Sequence, residues 1–155
     1  MTQKIILIVE DHDAVRRSLI GWLGPVFSRH QFIEAASGEE AVRICRTVSP
    51  DVVLMDIGLP LLNGIETTKR IKSIAPAAEV VMLTIHEDER YRADASTAGA
   101  TAYVPKRLMQ KELLPVLTAL LCPGEGQPSI HEPERHTKKT PEQAGNSNKK
   151  RELLQ

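Results

Sequence analysis

Aromatic residues are scarce: among 155 residues there are two Phe, two Tyr and one Trp, so aliphatic side chains must fill the core. Cysteine is scarce too. Cys45 and Cys122 are too few for a disulfide framework, and Cys45 falls in a helical apolar pattern that marks a packed thiol. Charge of one sign is missing, since 20 basic and 20 acidic residues cancel. No global field therefore points to nucleic acid or to an anionic membrane. No apolar run approaches the roughly 20 residues of a membrane span, and Glu10 and Asp11 interrupt any N-terminal signal pattern. Neither a G-x-G-x-x-G nor a Walker loop is present. These absences lead us to expect a reducing, cytoplasmic setting and a single domain of ordinary size.

What is present is an alternation of two periods, centred on the stretch Asp51 to Gly64, DVVLMDIGLPLLNG. Val52 to Met55 form a run apolar enough for a strand buried on both faces, and it ends on Asp56. Gly58, Pro60, Asn63 and Gly64 beyond it are turn residues. Before this stretch, Ile5 to Val9 read as a first strand ending on Glu10 and Asp11. A helix should follow, with Val15, Leu19 and Trp22 or Leu23 inward, Arg16 and Arg17 on the other face, and Gly24-Pro25 as its stop. A weak strand over Phe32 to Ala36 leads to a helix capped by Ser37 and Glu40, with Ala41, Ile44 or Cys45, and Val48 inward.

After Gly64, the residues Ile65, Thr68, Ile71 and Ile74 keep a helical period. Val80 to Leu83 form a fourth strand ending on Thr84, and Asp88 to Ala98 a polar helix closed by Gly99. Thr101 to Val104 should be a short last strand. It belongs on an edge, because Pro105 cannot donate to a ladder. Leu108 to Leu121 supply a final helix, expected to be a loose turn before about Leu113 because of Pro115. Residues 1–122 thus make one α/β domain. Residues 123–155, polar and rich in Pro, Glu, Lys, Gln and Asn, read as a disordered tail in which His131 and His136 are solvated.

The strand–helix alternation predicts a five-stranded parallel sheet in the order 2-1-3-4-5 with helices on both faces. In that order strands 1 and 3 are neighbours at the switch point, so Glu10, Asp11 and Asp56 share one crevice. Thr84 and Lys106 come from the ends of strands 4 and 5 on the same edge. Each residue alone has an ordinary reading: a helix-capping acid, a surface lysine, a strand-end threonine. Together they make a charge problem. Clustered carboxylates repel, and a hard cation that accepts oxygen ligands and binds phosphate, Mg2+, relieves the repulsion. A metal and an ammonium beside a carboxylate are what phosphoryl transfer to an aspartate requires.

In order along the chain, VEDHDAVRRSL, DVVLMDIGLPLLNGIE, VVMLTIH and GATAYVPKRL resemble the motif regions of the receiver domain of bacterial two-component response regulators, over residues 4 to about 121. The fold of that family is flavodoxin-like. The first and last motifs are closest in wording to receivers of helix-turn-helix transcriptional regulators. The resemblance implies Asp56 as phosphoacceptor, Asp11, Asp56 and the Gly58 carbonyl as direct Mg2+ ligands, and Glu10 acting through water. It implies Lys106 as the contact to the phosphoryl group, and Thr84 and Tyr103 as the switch pair. That pair would relay phosphorylation to the surface of the fourth helix, fifth strand and fifth helix. The implied partners are a sensor histidine kinase and either a downstream protein or a second copy, with no direct nucleic-acid or membrane contact. The implied catalysis is confined to the domain's own phosphorylation and dephosphorylation.

Three departures stand out. Ile85 follows Thr84 where a small residue is usual, and Arg107 follows Lys106 where proline is common. The segment after the receiver is also short for a helix-turn-helix module, which fits either a stand-alone or a truncated receiver. Two other classes of reading compete: a receiver-like module that signals without phosphorylation, and an enzyme on the same topology. Retention of the acids and lysine opposes the first. A flavin carrier would need a hydroxyl- and glycine-rich loop where Glu10-Asp11-His12-Asp13 stands, and an aspartate-nucleophile phosphatase an acid where Gly58 stands.

Overall fold

A computed structural model describes residues 2–124. The elements run β1 (Ile5–Val9), α1 (Asp13–Val26), β2 (Gln31–Ala35), α2 (Gly38–Thr47), β3 (Val52–Asp56), α3 (Gly64–Ile74), β4 (Glu79–Thr84), α4 (Glu89–Ala98), β5 (Ala102–Pro105) and α5 (Met109–Leu121). A single 3-10 turn, Lys106–Leu108, joins β5 to α5. The strands form one parallel sheet in the order β2-β1-β3-β4-β5, as expected.

Alternate residues of each strand feed opposite layers, which is why the central strands read as unbroken apolar runs. Leu7, Val9, Val53, Met55, Val80 and Met82 pack against Ala41, Val42 and Cys45 of α2, Ile71 of α3 and Ala95 of α4. Ile6, Ile8, Leu54, Val81, Leu83 and Val104 pack against Leu19 and Leu23 of α1 and Leu113, Leu117 and Leu121 of α5. Burial pushes the Cys45 thiol up to about 11, so it is a packed, inert group.

The caps follow the sequence signals. Ser37 accepts from the Glu40 N–H, while the Glu40 carboxylate accepts from the Ala36 N–H rather than from Ser37 itself. Asn63 and Asp88 cap α3 and α4 in the same way, and Gly99 closes α4 in the left-handed region, at φ +104°.

Several expectations are corrected. Gly24-Pro25 does not stop α1, which continues to Val26 with Pro25 in its last turn. Gly24 has no Cβ for the proline ring to strike, and the N–H that Pro25 lacks would have reached Gly21, which is exposed. Pro115 likewise sits within a helix that is already regular from Met109, because Pro115 and Lys111, its would-be acceptor, both lie on the exposed side. β2 and β5 each sit one residue away from their expected bounds. Val15 and Ile74, expected inward, are 39% and 41% exposed, and Thr67 is fully buried in their stead. Val48 lies beyond α2 as its extended cap. Arg16 leaves the solvent face assigned to it: its side chain is 12% exposed, against 76% for Arg17. Of the expected disordered tail, residues 123–155, the part from residue 125 onward, with the histidines at 131 and 136, lies outside the described residues.

Candidate functional site

The carboxyl ends of the strands carry the polar groups. Glu10 and Asp11 follow β1, Asp56 and Thr84 are the last residues of β3 and β4, and Lys106 follows β5. The register sets Asp56 beside Leu83 and Thr84 beside Pro105, which carries Lys106 to the same edge. The Lys106 ammonium lies 3.0 Å from Glu10 Oε2 and 3.4 Å from Asp56 Oδ1. It ties together the ends of three strands.

The two buried acids respond in opposite directions. Burial pushes Glu10 up, but the His12 N–H at 3.1 Å, the Lys106 ammonium and the His12 ring together outweigh it and leave Glu10 below its ordinary range. Asp56 has a single N–H, from Gly58 at 3.2 Å, and the more distant half of the ammonium. Its burial, reinforced by the Glu10 charge, prevails over Lys106 and holds it above its ordinary range. Lys106 loses by burial but gains more from the two carboxylates, so it stays charged, with a raised pKa.

Asp11 completes the cluster in an unsatisfied state. Among the described residues its buried Oδ1 has no hydrogen-bond partner, and it lies 3.3 Å from His12 Nδ1. Ligand atoms of Glu10, Asp11 and His12 all lie within 4.8 Å of one another. A buried orphan carboxylate oxygen beside further carboxylates is a donor set that fits a hard divalent cation. His12 is the member that sequence reasoning overlooked. It is exposed, and its raised pKa comes from its hydrogen bond to Glu10 and the charge of Asp11. The only signal was its place inside the acidic run Glu10-Asp11-His12-Asp13.

Thr84 and Tyr103 converge on His86. The buried Thr84 hydroxyl accepts from the His86 N–H at 2.9 Å, and the Tyr103 hydroxyl donates to the His86 carbonyl. The His86 ring stacks on Tyr91 at 4.7 Å, and the Arg92 guanidinium lies 4.8 Å over the Tyr103 ring. Arg107 pairs with Glu87 across the same edge.

A family model described as the response regulator receiver domain matches residues 6–118. The chain belongs to that family. The receiver is similar to response regulator UvrY of Escherichia coli strain K12, 33% identical over 115 residues covering 74% of this chain and 53% of the relative. It is also similar to response regulator GacA of Pseudomonas syringae pv. syringae, 35% identical over 101 residues covering 65% of this chain and 47% of the relative. The chain thus spans about half the length of these curated relatives. Among solved structures, a LuxR-family response regulator from Aurantimonas sp. SI85-9A1 superposes with a TM-score of 0.68 at 34% identity, over 77% of this chain and 86% of that one. Response regulator TrrA from Thermotoga maritima, solved in complex with Mg2+ and BeF, gives 0.67 at 30% identity over 76% and 99%. No helix among the described residues is long and apolar enough to cross a membrane.

Ile85, the departure beside Thr84, is 76% exposed and follows directly on the site-bearing strand. Ile85→Ala should speed labelling by acetyl phosphate or shorten the lifetime of the product, by up to about tenfold, or ~1.4 kcal/mol of barrier. Time courses by intact mass would show it. Both rates unchanged would mean that the side chain stands clear of the donor's path.

Proposed function

We propose that this receiver accepts a phosphoryl group on Asp56. The supporting observation is the Asp56–Lys106–Glu10 cluster with the orphaned Asp11 oxygen beside it. An Asp56 carboxylate oxygen attacks phosphorus, and the bond from phosphorus to the donor's leaving group breaks, which gives an acyl phosphate. The donor is a sensor histidine kinase's phosphohistidine, or a small phosphodonor. Lys106 holds positive charge where negative charge develops. Asp11, Asp56 and the Gly58 carbonyl would hold Mg2+, with Glu10 acting through water. Bound there, Mg2+ supplies charge neutralisation on the moving group and favours the ionised, nucleophilic form of Asp56. The domain's catalysis is its own phosphorylation and dephosphorylation. A cytoplasmic setting suits this chemistry and the free thiols of Cys45 and Cys122.

Incubation with acetyl phosphate and Mg2+ should give a single phosphoryl adduct by intact mass, and none with Mg2+ removed. Absence of any adduct would defeat the proposal. The metal assignment has its own check. Asp11→Ala should weaken Mg2+ binding in calorimetric titration by about tenfold more than Glu10→Ala. Equal losses would reassign the ligands.

The output belongs to Thr84 and Tyr103. Both anchor the His86 peptide, so a shift of the Thr84 hydroxyl toward a phosphoryl group would release one of the two bonds that fix the start of the β4–α4 segment. Tyr103 would then transmit the change to the face of α4, β5 and α5, where a downstream protein or second copy binds one state over the other. Tyr103→Ala should leave Asp56 labelling intact and weaken the phosphorylation-dependent association severalfold, measured by size-exclusion chromatography with beryllofluoride. Unchanged association would move the output elsewhere.

A further inference from the structure

Arg16 is the least exposed arginine among the described residues. Its guanidinium makes three hydrogen bonds: Nη1 to the Glu10 carbonyl at 2.8 Å, Nε to Glu34 Oε1 of β2 at 3.0 Å, and Nη2 to Asp13 Oδ1 at 2.7 Å. The Glu10 N–H is meanwhile held by the Ala35 carbonyl at 3.1 Å. Both backbone groups of Glu10 are thus held, the N–H by β2 and the carbonyl, which belongs to the peptide leading into Asp11, by Arg16 of α1. Asp11 carries a buried oxygen that has no hydrogen-bond partner among the described residues, with the His12 ring at 3.3 Å beside it.

We infer that Arg16 is a positioning residue for the metal site: by holding the Glu10 carbonyl it sets the Glu10–Asp11 peptide and so aims the unsatisfied Asp11 carboxylate. The inference rests on the Mg2+ reading above. Its physics yields a sign that separates it from the alternatives. Arg16 is a cation near a cation site, so removing its charge would by Coulomb's law tighten Mg2+ binding. Loss of positioning loosens it. A lysine keeps the charge, but its single compact ammonium cannot bridge three acceptors as the planar fork does.

The experiment is calorimetric titration of the full chain with magnesium chloride, beside thermal melting, for the wild type, Arg16→Met, Arg16→Lys and Leu19→Ala. Leu19 is buried on the same helix, in the apolar layer between the sheet and α1 and α5. Both Arg16 variants should bind Mg2+ about tenfold more weakly, the lower end of what outer-shell partners of a metal site contribute. Leu19→Ala should melt earlier yet bind Mg2+ as the wild type does. Arg16→Met binding as tightly as the wild type or tighter, or Arg16→Lys keeping full affinity, would overturn the inference while leaving the metal reading intact. An equal loss in Leu19→Ala would overturn it as well, by tracing the effect to the helix. A wild type that fails to bind Mg2+ would defeat the metal reading itself, and the positioning role with it.

Discussion

Asp56→Asn should abolish the phosphoryl adduct and, at neutral pH, raise the melting temperature. The first effect is complete, because an amide oxygen cannot form the acyl phosphate. The second follows from the site's electrostatics. Burial, first, and the Glu10 charge hold Asp56 above its ordinary pKa against the pull of Lys106. Below the unfolded-state value of about 3.9 both states are protonated and the folded protein bears no penalty. As pH rises from there through the folded-state pKa, the unfolded chain ionises first and stability is lost. Above that window the loss is complete, and the Asn variant escapes it. The gain at pH 7 should be about 1 kcal/mol and vanish in acid. Lys106 is not stranded by the change, since Glu10 remains at 3.0 Å. Intact mass and melting curves at both pH values decide it. Labelling of the Asn variant would move the phosphoacceptor, and a loss of stability at pH 7 would contradict the raised pKa.

The same competition between burial and pairing explains what was legible in the sequence. Strands buried on both faces must be apolar throughout, so β1, β3 and β4 stood out as runs, β3 and β4 ending on a polar residue of the site and β1 followed directly by one. Their order followed from the alternation with helices, and that order brought Glu10 and Asp56 to the one lysine, Lys106. What was not legible depended on which side of a helix faces water. Pro25 and Pro115 looked like breaks because the sequence does not show that the carbonyls they leave unpaired lie toward solvent. Arg16, beside Arg17, looked like part of a charged outer face, yet it turns inward to the backbone carbonyl of Glu10. Backbone acceptors leave no trace in a side-chain pattern. His12 escaped for a related reason, since a histidine among acids reads as a solvated cap until its ring is seen against Glu10.

Gly64→Ala should be among the most damaging single substitutions on the site edge. Gly64 opens α3, and its N–H donates to the Ile57 carbonyl at 3.0 Å. A Cβ there would overlap the Asp56 carbonyl oxygen outright and lie 2.8 Å from Ile57 Cα and 2.9 Å from the Asp56 carbonyl carbon. All three are backbone atoms at the end of β3, and backbone cannot rotate away as a side chain tip can. Either α3 retreats, opening the layer around Ile71, or the end of β3 shifts and takes Asp56 with it. Overpacking of this kind costs about 1–3 kcal/mol and more where nothing yields. At roughly 4 °C or more per kcal/mol for a domain of this size, the melting temperature should fall by about 10 °C. Labelling of the folded fraction should fall as well, because the displaced atoms belong to the backbone of Asp56, the proposed phosphoacceptor. Two controls isolate the cause. At Gly58 an added Cβ would meet only the Asp56 carboxylate oxygens, at an ordinary 3.8 Å, so Gly58→Ala should melt close to the wild type. At Gly21, exposed within α1, nothing lies within 4 Å, so alanine should stabilise by about 0.4–1 kcal/mol. Gly64→Ala melting with the wild type would mean that α3 has slack against β3, and the tight seat of Asp56 would have to be abandoned.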